Sequence, residues 1–68
     1  MDGKKIGARL KQLRSMSNLS QEKLAKKLGI SFTAYTKYER GLRVPRDEVK
    51  IKIANYYNMS VGKIFFDE

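Results

Sequence analysis

Apolar residues recur at helical spacing in five short blocks, and polar or glycine punctuation separates them. Ile6, Leu10 and Leu13 define a first amphipathic helix running to about Met16 or Ser17. Leu24, Ala25 and Leu28 define a second, with Glu22, Lys23 and Lys26 on its other side. Tyr35, Tyr38 and Leu42 follow i, i+3, i+7 spacing and are expected to face inward from a third. Val49, Ile53, Ala54 and Tyr57 predict a fourth helix over about 47–57, and Val61, Ile64 and Phe65 a short fifth. The punctuation agrees with this division. Ser20, Ser31 and Ser60 stand where N-cap hydroxyls accept from first-turn N–H groups, and Gly29 and Gly41 stand where left-handed residues close a helix. Met1 to Lys5 is polar and reads as a frayed end, although Asp2 can cap the first helix. The fold class is all-α, in a single domain over residues 1–68.

The two middle blocks form the core of the pattern, a helix–turn–helix over residues 20–41 with Ile30-Ser31 as a very short turn and the second helix over about 31–40. With Tyr35 and Tyr38 turned inward, Thr33, Thr36, Lys37 and Arg40 point outward at about 100° per residue. That stripe carries no acid. Its two hydroxyls, ammonium and guanidinium suit base edges and phosphates in duplex DNA. Phe32 lies about 60° from the buried centre, so two readings stand equal: contact with a thymine methyl in a major groove, or cover for the core edge beside Ile30 or Leu42. Gly41 to Arg46 forms an extended loop, with Val44 held out of the helical region by Pro45, and Arg40, Arg43 and Arg46 form a basic rim along it.

Charge sharpens this picture. The 68 residues carry a formal charge of +8, unevenly placed: residues 1–46 hold twelve Lys/Arg against three Asp/Glu, and residues 47–68 hold three against four. A basic front and a near-neutral back suit a polyanion bound through the front. Lys4, Lys5, Arg9 and Lys11 on the first helix read as solvated. There is no cysteine, which removes disulfides and thiolate metal sites and suits a reducing compartment. No apolar run approaches the roughly 20 residues of a membrane span and no signal peptide precedes the charged start, so a cytoplasmic protein is expected. Histidine is also absent, as are Gly-rich phosphate loops and metal-ligand clusters, so no catalytic residue, cofactor, metal or small-molecule ligand is assigned. Several glycine-stopped helices also speak against a cationic membrane-surface peptide.

The residues Ser20-Gln21, Leu24-Ala25, Gly29, Ile30-Ser31, Lys37-Tyr38-Glu39, Gly41, Arg43 and Pro45 resemble the helix-turn-helix domains of the phage Cro/CI repressor (XRE-type) family. The resemblance continues upstream through Ile6, Leu10, Leu13 and Arg14. Downstream it takes in Ile51-Lys52-Ile53-Ala54, Asn58-Met59-Ser60 and Ile64-Phe65, so it spans Ile6 to Phe65. It implies a five-helix lambda-repressor-like domain that binds double-stranded DNA as a prokaryotic or phage transcriptional repressor on a palindromic operator. The helix from Ser31 would enter the major groove, with Thr33, Thr36, Lys37 and Phe32 towards bases. Arg14, Gln21, Ser31, Arg40 and Arg43 would contact phosphates, and Arg14 would pair with Glu39 across the fold. Tyr35 and Phe32 depart from the family pattern, which more often has a β-branched aliphatic and a polar or basic residue there. Such domains usually bind as symmetric pairs, so a homodimer, weak or formed on DNA, is implied. Phe65 and Phe66 cannot face the same way, and that C-terminal pair is the candidate contact. The rival reading is an antitoxin-like or antirepressor protein of the same fold whose main partner is another protein.

Overall fold

The computed structural model describes residues 2–68 and contains, among them, five α-helices and no strand. They are α1 (Gly3–Met16), α2 (Gln21–Leu28), α3 (Phe32–Glu39), α4 (Asp47–Tyr57) and α5 (Val61–Phe65). Each start has a local cause. The side chains of Asp2, Ser20, Ser31 and Ser60 accept from backbone N–H groups three residues on, at Lys5, Lys23, Ala34 and Lys63. The polar run suggested fraying over Met1 to Lys5; the helix in fact starts at Gly3 behind the Asp2 cap, and Met1 lies outside the described residues. α4 has no side-chain cap; Asp47 and Glu48 in its first turn oppose the helix dipole instead.

Three helices end in the same way. Gly29 (φ 71°), Gly41 (φ 74°) and Asn58 (φ 56°) are left-handed. The next residue in each case bonds back to a carbonyl five positions earlier: Ile30 to Ala25, Leu42 to Lys37 and Met59 to Ala54. This overturns one expectation. The wheel that places Tyr35 and Tyr38 inward stops at Gly41, so Leu42 leaves the helical register and is 64% exposed.

The core joins Ile6 and Leu10 of α1, Leu24, Ala25 and Leu28 of α2, Tyr35 and Tyr38 of α3, Ile53 and Ala54 of α4, and Ile64 and Phe65 of α5. α1 packs chiefly on α3, α2 on α3, and α4 on α5. Pro45 is fully buried and fixes the 40–46 loop against this core. Phe65 is 1% exposed, so it belongs to the core and cannot form the outer contact expected of it. Phe66 alone of that pair is on the surface, at 53% exposure, with the Lys50 ammonium 4.8 Å from its ring centroid. Arg9 is a further correction. Its guanidinium donates to the Lys63 carbonyl and to Asp67, 3.1 Å away, and so ties α1 to the end of α5 instead of standing in solvent.

α1 crosses the last turn of α3 at Gly7, which is buried. A Cβ there would collide with the Glu39 carbonyl and lie 2.7 Å from the Tyr38 carbonyl oxygen, both of them backbone atoms that cannot rotate away. Gly7→Ala is therefore expected to destabilise the fold by about 3 kcal/mol or more, read as a lowered urea midpoint at unchanged slope. A midpoint equal to the parent's would show that α1 can move off α3 at no cost.

Candidate nucleic-acid interface

α2 and α3 meet across Gly29-Ile30-Ser31. The small side chain of Ala25, 2% exposed, lets the two helices approach closely. What orients α3 is a polar knot at its C-terminal end. The Glu39 side chain is 3% exposed. Its Oε2 accepts from Arg14 Nε at 2.6 Å and from the Tyr35 hydroxyl at 2.5 Å. Its Oε1 accepts from Arg14 Nη2 at 3.2 Å and from Gln21 Nε2 at 3.0 Å. Arg14 Nη1 also donates to the Leu19 carbonyl at 2.9 Å. One carboxylate thus collects donors from α1, α2 and α3.

The titration behaviour has its cause in this arrangement. Burial pushes the Glu39 carboxyl up, but hydrogen bonds from Arg14, Tyr35 and Gln21 outweigh it and hold it below the ordinary carboxylate value. Burial first, then the bond to Glu39, pushes the Tyr35 phenol well above its usual range. The bond to Glu39 raises the Arg14 guanidinium further. At neutral pH the knot holds a carboxylate, a guanidinium and a neutral phenol.

With Glu39 turned in, the outward face of α3 has no acid. Phe32 (49% exposed), Thr33 and Lys37 are exposed, Thr36 is half-buried, and Arg40 and Arg43 are exposed on the loop beyond. Lys37, Arg40 and Arg43 form no ion pair among the described residues. Ser31 lies at the start of α3, and its oxygen accepts from Ala34 N–H at 3.0 Å, which leaves its own O–H free to donate. Half of the Phe32 surface is open, so its ring is accessible at the start of α3. Thr36 donates its hydroxyl proton to the Thr33 carbonyl at 2.8 Å. Gln21 and Arg14 are half-buried and spend part of their donor capacity on Glu39.

The Arg14–Glu39 pair is the one the resemblance implies, whereas the bonds from Tyr35 and Gln21 to Glu39 are additional to it. The i, i+4 spacing of Tyr35 and Glu39 was a usable signal for one of them. Among the described residues no group of His, Cys, Asp and Glu could hold a metal, and no helix is long and apolar enough to cross a membrane.

Removing the carboxylate charge exposes the knot's contribution. Glu39→Gln places an amide against Arg14 and Gln21 and is expected to cost about 2–4 kcal/mol by chemical denaturation. The folded value of Glu39 lies below its ordinary 4.5, so its stabilisation is complete above that value and is lost as pH falls below it. The parent's unfolding midpoint should therefore drop more between pH 5 and pH 3 than that of Glu39→Gln. Parallel profiles would mean that Glu39 does not supply this dependence.

Comparison with known proteins supplies the lineage. A helix-turn-helix family model matches residues 10–64. An uncharacterised HTH-type transcriptional regulator of Methanocaldococcus jannaschii is 38% identical over 60 residues, covering 88% of this chain and 91% of that protein. The cryptic phage CTXphi transcriptional repressor RstR of Vibrio cholerae is also 38% identical over 60 residues, covering 88% of this chain but 54% of its own length. The ImmF control region 10 kDa protein of Bacillus phage phi105 is 34% identical over 68 residues, covering all of this chain and 76% of that protein. No solved structure matches.

Proposed function

The chain belongs to the helix-turn-helix family of DNA-binding transcriptional regulators, and on that premise we propose that it is a repressor of Cro/CI type that reads a palindromic operator through the major groove. The observation that carries this reading is the separation of charge on α3. Glu39 is buried in the knot, while Lys37, Arg40 and Arg43 stand exposed without counterions. A groove of phosphates satisfies that face, and helix-turn-helix proteins place their second helix in such a groove.

In this proposal Phe32, Thr33, Thr36 and Lys37 face bases. Ser31, Gln21, Arg40 and Arg43 hold phosphates, and Arg14 reaches one with the N–H groups it does not spend on Glu39 and Leu19. Two copies occupy half-sites about 34–36 Å apart. They pair through the exposed Phe66 with Ile51 beside it, both lining one apolar groove between α4 and α5. The relative named a transcriptional repressor supports repression, achieved by covering a promoter.

Selection of sites from a random duplex pool at about 150 mM salt tests the reading, because non-specific binding is suppressed there. A palindrome with half-sites one turn apart is expected. No enrichment would overturn it in favour of a protein partner, as in an antitoxin or antirepressor. Lys37→Ala should weaken the selected site by about 1–3 kcal/mol more than random duplex. Equal losses would remove Lys37 from the base-reading set. Arg43→Ala should weaken all duplexes alike and reduce the slope of log affinity against log salt by about one unit, and an unchanged slope would leave Arg43 without a phosphate.

A further inference from the structure

The donor inventory of α3 leads one step beyond that reading, on which this inference rests. A·T pairs are commonly read from the adenine side, by the bidentate amide of Asn or Gln, and cytosine by a carboxylate acceptor. The α3 sequence, Phe-Thr-Ala-Tyr-Thr-Lys-Tyr-Glu, contains no Asn, Gln or Asp, and its one Glu is sealed in the knot. Lys37 is a cation suited to the guanine acceptors. Thr36 has committed its hydroxyl proton to the Thr33 carbonyl, so towards a ligand it offers an acceptor and a methyl group. Phe32 and Thr36 are four residues apart and Thr33 and Thr36 three apart, so these residues neighbour one another along the helix, with Phe32 and Thr33 exposed and Thr36 half-buried. The ring is half open at the first position of α3.

The apolar group that an A·T pair projects into the major groove is the thymine C5-methyl. We propose that this chain recognises A·T pairs from the thymine side, through the C5-methyl, with Phe32 as the specificity-determining residue and the Thr33 and Thr36 methyls around it. The same chemistry is offered by 5-methylcytosine. Binding is therefore sensitive to the methyl itself and not to thymine as a hydrogen-bonding partner. The acceptor O4 is shared by thymine and uracil, so replacing one by the other isolates the methyl.

The test uses the enriched site, so failure to find any site is a failure of the proposed function and not of this inference. Each thymine is replaced in turn by 2′-deoxyuridine, which removes the methyl and keeps every hydrogen-bonding group. At one or more positions per half-site the parent should bind about fourfold more weakly, the worth of one buried methyl. Phe32→Ala should bind thymine and uracil there equally well, with its helical circular dichroism unchanged. Placing C·G and then 5-methyl-C·G at the same position separates the sources. Tighter binding to the methylated pair is expected, and equal binding to the two pairs would overturn the claim that the methyl itself is read. Loss-free uracil substitution throughout, or a uracil penalty undiminished in Phe32→Ala, would overturn the proposal.

Discussion

The position of α3 depends on one buried carboxylate. A charge with 3% of its side chain exposed is costly unless paired, and Glu39 is paired by Arg14 of α1, by Gln21 of α2 and by Tyr35 one turn earlier on α3 itself. Apolar contacts are tolerant of small shifts. Hydrogen bonds of 2.5–3.2 Å to a single carboxylate are not. The core thus brings the three helices together, and the knot fixes their relative setting. Gly7 completes the constraint, since α1 can reach the Glu39 turn only where it carries no side chain.

The same residue choice shapes the electrostatics of the surface. An acid at the end of α3 would partly neutralise Lys37 and Arg40 if it faced outward. Turned inward and matched by Arg14, it leaves the outer cations as an uncompensated field. Tyr35 makes this possible. A β-branched aliphatic at that position would fill space, but it would leave Glu39 Oε2 with Arg14 alone. The tyrosine hydroxyl supplies another donor and its ring packs edge-on against Tyr38, with centroids 6.5 Å apart.

Much of this was legible in the sequence, for local reasons. Helix positions followed from apolar spacing, and their ends from serine caps and left-handed glycines that act within a few residues. Errors arose where an inference had to cross a boundary or the fold. Leu42 was placed inward by continuing a helical wheel through Gly41, the residue that ends the helix. The spacing of Val61, Ile64 and Phe65 puts Phe65 with the core, where the structure buries it, so of the C-terminal pair only Phe66 is left on the surface. Arg9 looked solvated because its partners, Lys63 and Asp67, lie more than fifty residues away. At the candidate interface, the residue types on the outer face were readable from spacing. The commitment of the Thr36 proton and the inward turn of Gln21 were not, since each depends on which acceptor lies nearest in space.

That short supply of donors constrains how such a face can discriminate. Lysine is a mobile point charge without the planar fork that makes arginine selective for guanine, and a methyl contact is worth less than a bidentate pair. Specific recognition generally requires about 4–10 kcal/mol over non-specific binding, while each base contact supplies about 1–3. One copy of α3, with one lysine and a cluster of methyl groups, lies at the lower end of that requirement. Two copies on a symmetric site double the discrimination without adding a residue to the chain. On the proposed symmetric site, pairing would supply specificity that the eight residues of α3 lack alone, and in that proposal the exposed Phe66 and Ile51 would serve base reading as well as pairing.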